Sequence, residues 1–258
     1  MKNYEEDEII EAIAIGGDAA EAVKAELLKE LEWTQTYSGH KITPTHLLPS
    51  QVFRADIEHA LSMKCRYNGH CKRFYSVAEH CVFVAAIRGM LQILHLPRPC
   101  EVIDLITRRA EDEDTDFRIL VIREALEASD GMGLNQLRRA LLHDGSEYAL
   151  IDVPTPLKRA MPEYKVWERI AEIAIFDRFA VEHESDATIG KTCDVAALFS
   201  EKSRLLLHHL PGWGAEIKRD TYATIAAEMI APRCKIGKSP EKAKKLFREA
   251  WNLFEIGD

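Results

Sequence analysis

Residues 134–156 read LNQLRRALLHDGSEYALIDVPTP, and this stretch organises the rest of the chain. Leu134, Leu137 and Leu141 recur at helical spacing, so the pattern predicts a helix over 134–149 carrying the adjacent His143-Asp144 pair. Glu147 lies four positions after His143 and three after Asp144, which lets all three share one side of that helix. Pro154 and Pro156 forbid a regular helix just beyond, so Asp152 is expected on a stiff loop running to about residue 163. An imidazole, two carboxylates on one turn and a third on the following loop suit a divalent cation and its bound water. A solvated helix surface explains a lone His-Asp pair equally well, so the decision rests on the rest of the chain.

Working upstream, Ser76 followed three residues later by Glu79 reads as a capping box that starts a helix at Val77. Val77, Val84, Ile87 and Leu91 form its apolar stripe, and His80 lies on that stripe. The eleven residues before this helix hold Arg66, His70, Lys72 and Arg73, a local positive cluster suited to phosphate. Downstream, a helix over 191–210 places Asp194, Leu198, Glu201 and Leu205 at spacings of four, three and four. Two carboxylates then sit on an otherwise apolar stripe. A buried lone carboxylate costs several kcal/mol, so that face asks for a metal or an arginine.

The remaining segments support an all-α chain. Helices are expected over 4–15 and 19–32, broken at Gly16-Gly17 with Asp18 as an N-cap, then an irregular connection over 33–51. Helical spacing resumes over 52–64. Residues 97–133 read as an inserted helical excursion with a solvated acidic knuckle at 111–116. An amphipathic helix over 164–181 is expected to turn Val166, Ile170, Ile173 and Ala174 inward. The chain closes with 218–230 and a helix capped by Ser239 with Pro240 at its first position. No alternating strand longer than four residues stands out.

A net charge of −8 argues against tight sequence-independent nucleic-acid binding, but not against a small anionic substrate met by local cations. No apolar run approaches the roughly 20 residues that span a bilayer, and the acidic start MKNYEEDEII has no signal-peptide core. The six cysteines form no C-x-x-C pair. Together these features predict a cytoplasmic protein with free thiols and no membrane partner.

His80, His143, Asp144 and Asp194 therefore come from three expected helices. Two imidazoles and two carboxylates favour a single divalent transition metal, Zn, Mn, Fe, Co or Ni, over Ca. Their order, His … His-Asp … Asp, resembles the HD-domain metal-dependent phosphohydrolases. SVAEHCVFVA around His80, LLHDGSEYALIDVPTPLK over 141–158 and CDVAALFSEK over 193–202 narrow this to the bacterial 5′-deoxynucleotidases and their phage-encoded relatives. The resemblance spans roughly residues 52–210, leaving 1–51 and 211–258 as N- and C-terminal helical elaborations of an HD-domain bundle. The span between His80 and His143 is longer than in the compact nucleotidases.

What the resemblance implies is specific. His80, His143, Asp144 and Asp194 become metal ligands, and Glu147 and Asp152 match catalytic and substrate-contacting carboxylates. Arg66 orients the phosphate, and the ring of Tyr67 lies against the sugar. Lys72, Arg73, Thr155 and Lys158 are the further substrate-contacting candidates, beside the ligands His80, Asp144 and Asp194. The implied reaction is hydrolysis of a nucleotide phosphoester, foremost a 2′-deoxynucleoside 5′-monophosphate, in a homodimer or larger homo-oligomer. Two rival readings are a deoxynucleoside triphosphate triphosphohydrolase, with Mg on the substrate phosphates, and a non-catalytic nucleotide-binding module.

Overall fold

A computed structural model describes residues 33–131, 133–183, 188–208, 210–212 and 214–254. The two helices expected before residue 33 lie outside the described residues. The connection over 33–51 contains a two-residue antiparallel hairpin, β1 (Thr34–Gln35) with β2 (Lys41–Ile42), and 3-10 turns at Pro44–His46 and Pro49–Gln51. Ser38 at the hairpin tip donates through its backbone N and its hydroxyl to Asp56, both at 2.7 Å. All other regular structure among the described residues is helical, so the fold is all-α.

In chain order the helices are α1 (Arg54–Met63), α2 (Val77–Leu94), α3 (Pro99–Asp112), α4 (Phe117–Ala128), α5 (Leu134–Leu142), the one-turn α6 (Thr155–Lys158), α7 (Pro162–Arg178), α8 (Thr188–Leu205), α9 (Thr221–Ile230) and α10 (Pro240–Leu253). Helix α2 is the hub. Its 18 residues have a mean hydropathy of 1.5, enough in length and composition for a membrane span, yet only Arg88, Gln92 and Leu94 escape full burial. A helix apolar on all sides needs partners on all sides, and α1, α4, α5, α8, α9 and α10 supply them. The single stripe expected for α2 is therefore too narrow a description.

Ser76 caps α2 as expected, its hydroxyl accepting from the Glu79 backbone N at 3.1 Å. The reciprocal half of the capping box is missing. The Glu79 side chain accepts instead from the backbone N of Gly237 and Lys238, 3.2 and 2.9 Å away. Ser76→Ala removes the remaining half and should lower stability by about 1 kcal/mol, read as a shifted urea midpoint at unchanged slope. An unchanged midpoint would show that the cap contributes nothing.

Three local expectations need correction. Residues 97–133 are not an excursion from the core. Helix α3 is peripheral, with only Ile106 fully buried, but α4 buries Phe117, Ile119, Leu120, Val121, Ile122 and Ala125. It packs so closely on α2 that a Cβ added at Gly89 would meet Ala125 Cβ at 3.2 Å. Next, the helix predicted over 134–149 ends at Leu142. A 3-10 turn over Gly145–Tyr148 follows, so the i, i+3 spacing continues without an α-helix. Finally, α7 buries Tyr164, Ala171, Ala174, Ile175 and Phe176, leaving Val166, Ile170 and Ile173 half-buried. The C-terminal helix α10 forms with its expected cap at Ser239 and adds Phe247 and Trp251 to the common core.

Candidate metal centre

Four elements converge at one end of α2. His80 stands in the first turn of α2, held there by the Ser76 cap. His143 is the C-cap of α5, Asp144 opens the 3-10 turn that follows, and Asp194 projects from α8. His80 Nε2 lies 3.2 Å from His143 Nε2, 3.2 Å from Asp194 Oδ1 and 3.6 Å from Asp144 Oδ2. His143 Nε2 lies 3.3 Å from Asp144 Oδ2 and 3.9 Å from Asp194 Oδ1. Ligand atoms each about 2.0–2.2 Å from one cation stand between about 3 and 4.4 Å apart, a range that includes the separations among His80, His143 and Asp194. Among the described residues, His80, His143 and Asp194 form a group that can hold a metal.

The tautomers agree with that reading. His143 Nδ1 lies 2.9 Å from the Ala140 carbonyl, which can only accept, so Nδ1 carries the proton. His80 Nδ1 faces a carboxylate, Glu201 Oε1, at 2.6 Å. Both Nε2 lone pairs are thereby directed at the same point. Exposure rises from the imidazoles to the acids: His80 has none, whereas the Asp144 and Asp194 side chains are 24% and 38% exposed. The cluster is closed at the histidine side and open at the aspartate side, where water or a substrate can enter.

Burial alone would push both imidazoles toward the neutral form. The Asp144 carboxylate beside His143, and Glu201 and Asp194 beside His80, outweigh it and hold both pKa values above the usual histidine range. Conversely, burial disfavours the charged aspartates, but His143 and Arg66 hold Asp144 well below the carboxylate range, and His80 does the same for Asp194. A dication bound between them would balance the two carboxylates and leave both imidazoles neutral.

Arg66 joins this cluster. Its guanidinium is buried, donates to Asp144 Oδ2 at 3.0 Å, and stands 3.6 Å from Glu201 Oε2 through Nε, which has no hydrogen-bond partner among the described residues. Tyr67 follows at φ 57° and Asn68 at φ 49°, left-handed conformations that cost non-glycine residues energy. That backbone turns the Tyr67 hydroxyl onto Glu201 Oε2, 3.2 Å away.

Glu147 sits on the 3-10 turn after Asp144, 3% exposed, and its Oε2 is a buried acceptor with no partner among the described residues. Burial first, then the charges of Asp144 and Asp152, push its carboxyl well above the usual range. Asp152 lies half-buried on the expected loop. Lys64, at the end of α1, belongs to the same corner. Its ammonium donates to the Leu150 carbonyl at 2.5 Å, and burial pulls its pKa down to about 8 against the opposing charges of Glu147 and Asp152. Sequence reasoning left Lys64 as a helix end, because nothing in its local pattern marks it as buried.

The other candidates are placed less centrally. Lys158 feels the charges of Glu147 and Asp144 but is paired with Glu168 Oε1 at 2.5 Å. Thr155 is exposed. Lys72 and Arg73 are also exposed, and Arg73 lies along Gly237, away from the histidines.

No protein-family model matches the chain. Over 183 residues it is 25% identical to the uncharacterized protein YfdR of Escherichia coli strain K12, a match covering 71% of this chain and 78% of that one.

Proposed function

We propose that this chain is a metal-dependent phosphohydrolase whose substrate is a nucleotide phosphoester, foremost a 2′-deoxynucleoside 5′-monophosphate. One observation carries the reading: His80, His143 and Asp194 gather ligand atoms that one cation can share, with Asp144 Oδ2 beside both imidazoles and against the buried Arg66. Asp144 serves as the fourth ligand in this reading. A divalent transition metal held there supplies Lewis acidity toward a phosphoryl oxygen and lowers the pKa of water.

The chain's own groups supply the rest. Arg66 takes phosphoryl charge with a guanidinium that is already desolvated and oriented. Glu147, whose carboxyl burial and the charges of Asp144 and Asp152 push above the usual range, moves a proton between water and the departing 5′ oxygen. Asp152 and Lys64 flank it, where the sugar or the water is held. A catalytically silent binding module has no use for an unpartnered acid at Glu147 beside these ligands.

The triphosphohydrolase reading needs extra cations around two more phosphates. Lys72, Arg73 and Arg159 are exposed and Lys158 is paired, so the monophosphate is favoured. The test is product identity. Protein stripped of metal and reloaded with Mn, Co, Ni, Zn or Fe is given deoxy- and ribonucleoside mono- and triphosphates, and the products are separated by chromatography. Inorganic phosphate and deoxynucleoside from the monophosphate are expected. Intact tripolyphosphate from a triphosphate would replace the monophosphatase reading. No turnover of any nucleotide with any metal would end both.

A further inference from the structure

Glu201 touches no open part of the centre, yet four of the residues around the centre meet on it. It is 2% exposed and lies seven residues after Asp194 on α8. One oxygen, Oε1, accepts from His80 Nδ1 at 2.6 Å and from the Tyr75 hydroxyl at 2.8 Å. The other, Oε2, accepts from the Tyr67 hydroxyl at 3.2 Å and faces Arg66 Nε at 3.6 Å. A single buried carboxylate thus has one oxygen on a metal-ligating imidazole and the other on the arm that carries the phosphate-binding guanidinium.

We infer that Glu201 is a positioning residue that fixes two things at once: the tautomer and direction of His80 as a ligand, and the placement of Arg66 as an anion anchor. The inference rests on the metal reading above. Its physical basis is the division of labour between the two oxygens. With Oε1 accepting, the His80 proton stays on Nδ1 and the Nε2 lone pair faces His143 and Asp194.

The second oxygen acts on Arg66, which among the described residues has two carboxylates within 4 Å, Asp144 Oδ2 at 3.0 Å and Glu201 Oε2 at 3.6 Å. Asp144 Oδ2 is the same atom that faces both imidazoles. When Asp144 serves as a ligand, Glu201, whose charge acts most strongly on the buried guanidinium, is the carboxylate left to hold and aim it. The left-handed pair Tyr67-Asn68 has a role in the same scheme, since it lets the Tyr67 hydroxyl reach Oε2 and pin the arm.

Glu201→Gln separates this from a purely structural role, because an amide of the same shape can offer an NH2 where each oxygen must accept. Tyr75→Phe is the control, since it deletes a buried hydrogen bond to the same carboxylate while leaving its charge, His80 and Arg66 in place. Apo protein of each form is titrated with Co(II), following the ligand-field absorption, and the Co(II)-loaded form is then titrated with inorganic phosphate. Thermal unfolding is recorded alongside.

Glu201→Gln is expected to weaken Co(II) binding about 10–100-fold and to alter the absorption. It should also weaken phosphate binding by on the order of tenfold, the effect of one charge-assisted hydrogen bond. Tyr75→Phe should melt earlier than wild type yet bind both as wild type does. Wild-type affinities in Glu201→Gln, or equal losses in both variants, overturn the inference and leave the metal reading standing. A wild-type protein that fails to bind Co(II) overturns both. Should Glu201→Gln not fold, nitrogen-15 spectra of the zinc-loaded wild type decide the tautomer half. A His80 Nδ1 that carries no proton, or that itself bears the zinc, overturns it.

Discussion

Glu147→Gln should retain its metal and lose about 10²–10⁴-fold in turnover, the usual contribution of a positioned acid-base group. The substitution keeps the size of the side chain, so the 3-10 turn over Gly145–Tyr148 and its packing on Ile175 are preserved. What disappears is a titratable proton in a buried corner. Glu147 Oε2 has no partner among the described residues, and a buried acceptor left unpaired costs about 1–3 kcal/mol. A fold that keeps such a group beside two other acids is holding it ready for something that arrives later. Metal content by atomic emission and kcat by phosphate release are the two measurements. A variant with full metal and wild-type kcat would remove Glu147 from the chemistry.

The largest expected effect on stability lies at Arg118, whose partner Glu79 precedes His80 in α2. Arg118 on α4 has no exposed surface, and its guanidinium bonds Glu79 Oε1 at 3.3 Å and Asp116 Oδ1 and Oδ2 at 2.8 and 3.0 Å. Arg118→Ala leaves two buried or nearly buried carboxylates with Lys238 as the remaining cation at Asp116, and should cost about 3–5 kcal/mol in denaturant unfolding. A loss under 1 kcal/mol would show that water or Lys238 replaces the guanidinium.

The two acids also respond to pH in opposite senses. Burial disfavours charged Asp116, but Arg118 and Lys238 hold its pKa well below that of the unfolded chain. Its contribution is therefore present above the unfolded value of about 3.9 and is lost as pH falls from there. Glu79 is raised by burial, only partly offset by Arg118, so its contribution is full in acid and declines as pH rises through the raised value. Asp116→Asn should thus flatten the acid limb of the stability curve below about pH 4. An unchanged limb would reject the assignment.

What could be read in advance was whatever depended on local spacing. The Ser76 cap, the inward His80 and the acids at Asp194 and Glu201 follow from positions three, four and seven apart on one strand of chain. Of the four expected ligands, the geometry gathers His80, His143 and Asp194 into a group that can hold a metal and sets Asp144 beside both imidazoles. Features set by distant chain escaped. In the acidic knuckle at 111–116, Glu111, Asp112 and Asp114 are exposed as expected, but Asp116 is paired with Arg118 and with the distant Lys238. The His-Asp helix was read too long because a 3-10 turn repeats every three residues and so mimics an α-helix on one face. Glu201 was legible as an acid needing a partner. That it serves His80, Tyr75, Tyr67 and Arg66 together depends on three segments meeting in space.

The Glu79 carboxylate, next to His80 in the chain, takes two of its donors from residues 158 and 159 positions later. That span has a consequence for how the protein is born. A nascent chain emerging from the ribosome has delivered His80, His143, Asp144 and Asp194 well before it delivers Gly237, Lys238 and the Trp251 that fills the core beneath α1. Until then Glu79 lacks two of the donors its burial depends on, and α2, the helix that carries the first ligand, lacks a side of its packing. Assembly of the candidate centre therefore waits for residues 237–251, and a dication captured earlier would meet residues not yet held in register.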